Sequence, residues 1–176
     1  NKLDLDGLAS QAGIKPSNLC LFDEDDFKII GSLEILERLK SRYGRSFITL
    51  HRSLLTKILF EKVKEKKIQV KFGARALPLV EKDEANVCIS YKGKKIKKDL
   101  IVIADGIGSS WKKTIFREIK NWSISQCAYR FVLNNKKLPA IFSANNINLF
   151  FGRGRHFVTY PTGNNGMINF VFCKRE

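Results

Sequence analysis

The run Asp99–Asp105, with the sequence DLIVIAD, is the feature that most constrains the fold. Four consecutive apolar residues precede Ala104, which is typical of a strand that is buried on both faces in a parallel or mixed sheet. Gly106 follows the run directly. The sequence therefore predicts a mixed α/β protein in which this strand lies inside a covered sheet.

The residues before this run predict a helix followed by a small sheet. Ser53 can cap a helix, because apolar residues recur after it at helical spacing, namely Leu54, Leu55, Ile58, Leu59 and Val63. Two strands are expected next, at Ile68–Phe72 and in the alternating run from Val87 to Tyr91, and Lys92 with Gly93 turns the chain back. The pattern indicates a β-meander. A further helix is expected at Lys112–Ile119.

Both ends of the chain are rich in strand patterns. An acidic turn separates two short apolar runs near the start, Leu19–Phe22 and Phe27–Ile30, and predicts a hairpin. Towards the end, four strongly β-prone runs are separated by glycine-containing turns; they are Gln126–Leu133, Ile147–Phe151, His156–Tyr160 and Met167–Cys173. These runs predict a mostly antiparallel sheet.

The positive charge of the chain suggests polyanionic binding partners but does not identify which class of polyanion it would bind. The formal net charge is +15, and such a field attracts nucleic acid, anionic lipid and acidic ligands. Many lysines fall in short clusters that are typical of solvated faces, and no nucleic-acid-binding module is recognised. We therefore expect no specific nucleic acid partner, although a non-enzymatic basic module for nucleic acid or another polyanion remains the alternative.

The cysteines indicate a reducing, cytoplasmic environment. Cys20, Cys88, Cys127 and Cys173 are far apart and lie in apolar runs, so we expect core thiols and no metal site. No apolar run approaches the roughly 20 residues of a membrane span. The chain begins at Asn1 without a signal-peptide pattern, which suggests a start within a longer protein.

Asp105 and Gly106 are the first candidate binding residues. They follow the predicted buried strand, and ligands of open α/β sheets bind at that edge. A glycine there lets backbone approach a phosphate, and a following helix offers unpaired N–H groups to the same anion. An ordinary turn is the alternative interpretation of the same two residues.

Three segments together resemble the FAD-dependent aromatic-ring monooxygenases, the family of para-hydroxybenzoate and salicylate hydroxylases. DLIVIADGIGSSWKKTIF resembles the family segment ADGxxSxVR, and HRSLLTKILFEKV resembles its R-x-x-L helix, with Arg52 and Leu55 at the motif positions. CAYRFVL, FFGRGRHFVTYP and MINFVF look like its substrate-domain strands. The segments follow the family order over nearly the whole chain.

The resemblance implies a monooxygenase that uses FAD, NAD(P)H and O₂ to hydroxylate a small aromatic substrate, and it is compatible with a homodimer. It implies that Arg52 faces the FAD and that Asp105 and Gly106 lie near the diphosphate. Residues 46–119 would be the middle of a Rossmann-like FAD-binding layer, and residues 1–45 and 120–176 would form the substrate-domain sheet. A solvated arginine at a helix start is the alternative for Arg52.

Two features depart from the family. Gly108 and Lys112 stand where the family commonly has His and Arg, and lysine cannot reproduce the two-pronged grip of arginine on phosphate. The chain also contains no G-x-G-x-x-G after a first strand and no late Gly-Asp segment. We therefore expect an internal fragment that is inactive in isolation.

The sequence names no catalytic residue. His156 and Tyr160 lie four apart on a predicted strand, so both side chains are expected on one face and are candidates to face the substrate. Ordinary polar positions on a half-buried strand are the alternative. Arg130, Arg153 and Arg155 could meet a substrate carboxylate, but among so many basic residues a surface charge is the favoured interpretation of each.

Overall fold

The computed structural model describes residues 5–79, 87–109, 111–112, 125–142, 145–163 and 166–175. The chain divides into two compact units, the first made of residues 1–68 and 124–176 and the second of residues 69–123. The mixed α/β class predicted from the sequence is confirmed. The predicted assignment of residues 46–119 to an FAD-binding layer, with the rest in a substrate domain, stays a prediction.

The described residues form three α-helices, one short 3-10 helix (Asn135–Lys137) and nine strands. The helices are α1 (Asp6–Ala12), α2 (Leu36–Tyr43) and α3 (Arg52–Glu65). The strands are β1 (Asn18–Asp23), β2 (Ile29–Glu34), β3 (Ala76–Leu79), β4 (Val87–Tyr91), β5 (Lys94–Lys98), β6 (Gln126–Asn134), β7 (Asn146–Gly152), β8 (Arg155–Pro161) and β9 (Met167–Arg175). No helix in the described ranges is long and apolar enough to cross a bilayer.

The first unit is built on a six-stranded sheet with the order β2-β1-β7-β8-β9-β6. Every neighbouring pair is antiparallel except β1 and β7, which run parallel. The expected hairpin near the start is therefore confirmed as β1–β2, and the four late β-prone runs are confirmed as β6 to β9. The mostly antiparallel sheet predicted from these patterns is the core of the unit.

Phenylalanines form the core on one face of this sheet. Phe150 is only 2% exposed, and its ring stacks on Phe22 at a centroid distance of 4.8 Å. Phe157 and Phe142 pack against the same ring. Because strand side chains alternate between faces, the remaining strand residues lie on the opposite face. We call that opposite face, which carries Val132, Tyr160 and Asn169, the outer face.

An ion pair joins the β1–β2 turn to the start of β8. The Arg155 guanidinium contacts the Glu24 carboxylate through two nitrogens, with Nε 2.7 Å and Nη2 2.6 Å from Oε1. The hydrogen bond from Arg155 holds the pKa of Glu24 below its ordinary value. Because the Arg155 guanidinium is already paired with the Glu24 carboxylate, a structural role for this arginine is favoured over contact with a substrate.

The second unit contains the three-stranded meander β3-β4-β5, in which both pairs are antiparallel. Lys92 and Gly93, both with positive φ, form the β4–β5 turn as expected. The predicted helix at Lys112–Ile119 falls largely outside the described residues, which show helix at residues 111 and 112.

The strand predicted at Asp99–Asp105 is wrong for the described structure. These residues have no strand assignment, and the side chains of Leu100 and Val102 are 77% and 80% exposed. A strand exists only through hydrogen bonds to a neighbouring strand, and within the described ranges no strand pairs with this run. The predicted strand at Ile68–Phe72 is wrong for the same reason.

Candidate functional site

An open cleft of about 670 Å³ lies in the first unit where the start of α3 meets the end of the sheet. Its volume is within the range of small-molecule sites in proteins. The lining residues come from α1, the start of α3, β6, the β8–β9 turn and the start of β9; they are Ala12, His51, Ser53, Leu54, Val132, Thr162, Gly163 and Met167. The lining mixes apolar groups with a histidine and two hydroxyls, as is typical of small-molecule sites.

His51 fixes the start of α3 against the β8–β9 turn. Its backbone N–H donates to the carbonyl oxygen of Thr162 at 2.9 Å. Its ring Nδ1 accepts from the backbone N–H of Ser53 at 3.3 Å, so His51 is the N-cap residue. The prediction of Ser53 as the cap is wrong by two positions, because a histidine ring nitrogen takes the acceptor role that sequence patterns assign to serine.

Arg52 is the first residue of α3, between cleft residues on either side of it in the chain. Its side chain is exposed, and no hydrogen bond or ion pair of that side chain occurs within the described residues. A helix N-terminus also carries partial positive charge. Arg52 therefore adds a free cation to an end of the helix that already favours anionic groups. Leu55, the second motif residue, is partly exposed.

His156 and Tyr160 both lie on β8 and, by strand alternation, on the outer face of the sheet. His156 pairs across the strands with Phe151 and Cys173, whereas Tyr160 pairs with Asn169. Both side chains are partly buried. Their role as substrate-facing residues stays a prediction.

Gly106 begins a turn in the second unit, directly after Asp105. Gly106 has a φ of +82°, a region that side-chain-bearing residues rarely adopt, and nothing lies within 4 Å of the position a Cβ would take. The Ser109 N–H donates to the Gly106 carbonyl at 3.2 Å, and the Ser109 hydroxyl oxygen accepts from the Lys112 N–H at 3.3 Å. The turn therefore leads directly into a serine-capped helix start.

A second cleft, of about 360 Å³, borders this turn within the same unit. Asp105, Arg75 and Trp111 line it together with the apolar residues 101–104. Trp111 is buried, and its indole N–H donates to the Ala76 carbonyl at 3.1 Å. The turn is thereby held against β3. Arg52 belongs to the first unit, and the Asp105–Gly106 pair belongs to the second.

Sequence reasoning missed three residues of the first cleft and its surroundings. His51 and Thr162 meet through the fold, and only the position of His51 before a helical pattern could have drawn attention to it. Asn169 is a polar residue in the otherwise apolar run MINFVF, and the strand pattern alone does not explain why an amide stands there.

The known proteins that resemble the chain include hydroxylases and FAD-dependent enzymes. No protein-family profile matches the chain. It is 23% identical over 175 residues to 3-hydroxybenzoate 6-hydroxylase 1 of Aquipseudomonas alcaligenes, covering 99% of the chain and 44% of that relative. Solved structures with similar folds include CtdE in complex with FAD and a substrate, with a TM-score of 0.81, 18% identity and coverage of 98% of the chain and 43% of that protein. A salicylate hydroxylase substrate complex has a TM-score of 0.75 and 18% identity, with coverage of 99% and 45%.

These similarities confirm the resemblance to FAD-dependent aromatic hydroxylases that the sequence motifs predict. They also confirm the fold, which matches a segment of those proteins. The chain spans less than half the length of the curated relatives it matches.

Proposed function

We propose that this relative of the aromatic hydroxylases is part of an FAD-dependent monooxygenase that hydroxylates a small aromatic compound with NAD(P)H and O₂. The observation that carries the proposal is the cleft at the start of α3. There the helix of the R-x-x-L motif begins beside a ligand-sized space against the sheet. The similarity to 3-hydroxybenzoate hydroxylases, which act on an aromatic acid by name, supports this substrate class.

The residues present fit parts of FAD. At Gly106 the left-handed backbone and the open space at its α-carbon would let a phosphate approach the main chain closely. The helix start that follows, capped by Ser109, would offer backbone N–H groups to the same phosphate. Lys112 would add charge without the planar grip of an arginine. We assign Asp105 and Gly106 to diphosphate binding.

Residues of the cleft would bind and orient the aromatic ring. Val132, Leu54 and Met167 offer apolar surface, and Thr162 and Ser53 offer hydroxyls at its edge. Bound FAD supplies the redox chemistry, while the protein positions the ring and excludes water. The positive charge of Arg52 at the helix N-terminus would stabilise negative charge that develops nearby. NADH and NADPH are both compatible with these residues, and the free thiols of Cys20, Cys127 and Cys173 suit a reducing cytoplasm.

Replacement of Arg52 tests the proposal. In the protein expressed from its complete reading frame, Arg52→Ala is expected to lower kcat for substrate-dependent NAD(P)H oxidation about tenfold, because a preorganised charge beside the reacting groups is lost. Arg52→Lys should recover part of the rate because it keeps the charge. The assay follows NAD(P)H absorbance and quantifies the hydroxylated product by chromatography.

Lys57→Ala is the matched control, since Lys57 is an exposed cation on the same helix and does not line the cleft. It should leave kcat within about twofold of the unmodified protein. Equal rates for Arg52→Ala and Lys57→Ala would show that Arg52 is an ordinary solvated arginine. Absence of any hydroxylated product from the unmodified protein would reject the proposed activity.

A further inference from the structure

An unpartnered amide lies on the outer face of the six-stranded sheet. The side-chain nitrogen Nδ2 of Asn169 is buried, and no hydrogen-bond partner for it exists within the described residues. The large majority of buried side-chain polar atoms in proteins have a partner. By contrast, Asn148 on the core face donates to the carbonyl of Ile141 at 2.8 Å and to the Thr159 hydroxyl at 3.3 Å. The sheet therefore satisfies one asparagine and leaves the other unsatisfied.

The strand register brings Asn169 next to the α3 cleft. In β9 its neighbours Ile168 and Phe170 are buried in the core, so Asn169 points to the outer face. Its cross-strand neighbours on that face are Val132 of β6 and Tyr160 of β8. Val132 lines the cleft, and so does Met167, two residues before Asn169 on the same face. Asn169 therefore adjoins two residues of the cleft wall inside the first unit.

The side chains around Asn169 favour a ligand that presents an anionic oxygen to the amide. An amide nitrogen is only a donor, so its partner must be an acceptor. Arg130 lies on the outer face of β6, two residues before Val132, and it takes part in no ion pair among the described residues. A carboxylate would satisfy the amide and also gain from the nearby guanidinium.

We propose that Asn169 is a substrate-binding residue that donates a hydrogen bond to a carboxylate group on the aromatic ring. This inference rests on the proposed function and adds a specificity determinant to it. Rotation of the terminal amide by a half-turn exchanges Nδ2 and Oδ1 without changing the shape of the side chain. In this proposal the amide rotates when the ligand binds, so that its donor faces the carboxylate.

Calorimetric titration of the full-length protein with 3-hydroxybenzoate and with phenol tests the inference. Asn169→Leu keeps the size of the side chain and removes the donor, so it should weaken binding of 3-hydroxybenzoate about tenfold or more. Phenol lacks the carboxylate, and its affinity should change less than twofold. Asn169→Asp should weaken binding of 3-hydroxybenzoate further, because two carboxylates repel. Cys173→Ser, on the same face of the same strand, should leave both affinities unchanged.

Thermal unfolding without ligand separates binding from a structural role. If Asn169 serves the ligand, Asn169→Leu should melt at the same or a higher temperature, because an unsatisfied buried donor has been removed. A lower melting temperature with equal loss of affinity for both compounds would overturn the inference, as would unchanged binding of 3-hydroxybenzoate. An unmodified protein that binds no 3-hydroxybenzoate would overturn it too. Failure to bind FAD alone would reject the proposed function, while the comparison of the two compounds would still decide the role of Asn169.

Discussion

Replacing Phe150 by alanine is expected to destabilise the protein by about 3–5 kcal/mol, the usual cost of removing a buried phenylalanine side chain. Phe150 is 2% exposed and lies within 6 Å, between ring centroids, of Phe22, Phe142 and Phe157. Removal of its ring would leave a cavity, and the three neighbouring rings could fill that cavity only in part. Urea denaturation followed by circular dichroism measures the change in the free energy of unfolding.

The adjacent residue provides the control. Phe151 has the same side chain on the same strand, but it points to the outer face and is 46% exposed. Phe151→Ala should cost about 1 kcal/mol or less, because little burial is lost. Similar losses of stability for the two variants would mean that the core does not lie on the face of the sheet that carries Phe150.

The strands of the six-stranded sheet could be predicted because their patterns are local. The apolar alternation of β8 and β9 and the acidic turn between β1 and β2 each specify structure within about ten residues. Their order in the sheet could not be predicted in the same way. The parallel pairing of β1 with β7 joins residues that are more than a hundred positions apart, as does the Glu24–Arg155 ion pair.

The run Asp99–Asp105 shows the limit of such patterns. Its composition predicts a strand buried on both faces. Hydrophobicity, however, gives only the tendency of a segment to be buried and does not determine which strands lie beside it. In the described structure the run has no neighbouring strand, and its apolar side chains are exposed. The sequence shows that the run is apolar, but it does not show whether a neighbouring strand pairs with it.

A valine at position 106 is expected to weaken FAD binding about 30-fold in the full-length protein. At a φ of +82° a side chain costs about 1–2 kcal/mol in backbone strain, and a β-branched side chain lies at the upper end of that range. The free variant is expected to relax out of this conformation, so FAD binding must restore it at that cost. A loss of 2 kcal/mol corresponds to about 30-fold in affinity. The added methyl groups would also occupy the open space through which we propose a phosphate approaches. Equilibrium titration followed by flavin fluorescence measures the dissociation constant.

Gly108 is the matched control in the same turn. It has no positive φ, and open space surrounds its α-carbon. Gly108→Val should therefore change the affinity for FAD less than about threefold. If both variants bind FAD as tightly as the unmodified protein, the Asp105–Gly106 turn is an ordinary turn and does not contact the diphosphate.

The candidate site could be predicted in part from the sequence. The motifs selected Arg52, and the structure places it at the start of the helix whose next residues line the cleft. His51 and Thr162 could not be predicted, because a hydrogen bond across more than a hundred residues brings them together. A role for Asn169 could not be predicted, because it depends on which hydrogen-bond partners the fold brings to the amide.

The most direct measurement is a titration of FAD into the protein expressed from its complete reading frame, followed by gel filtration and a visible absorption spectrum. We expect a yellow protein that retains about one flavin per chain and whose flavin spectrum shifts when 3-hydroxybenzoate is added. A colourless protein after the same treatment, with an affinity for nucleic acid that falls steeply as salt rises, would contradict it and indicate a polyanion-binding module.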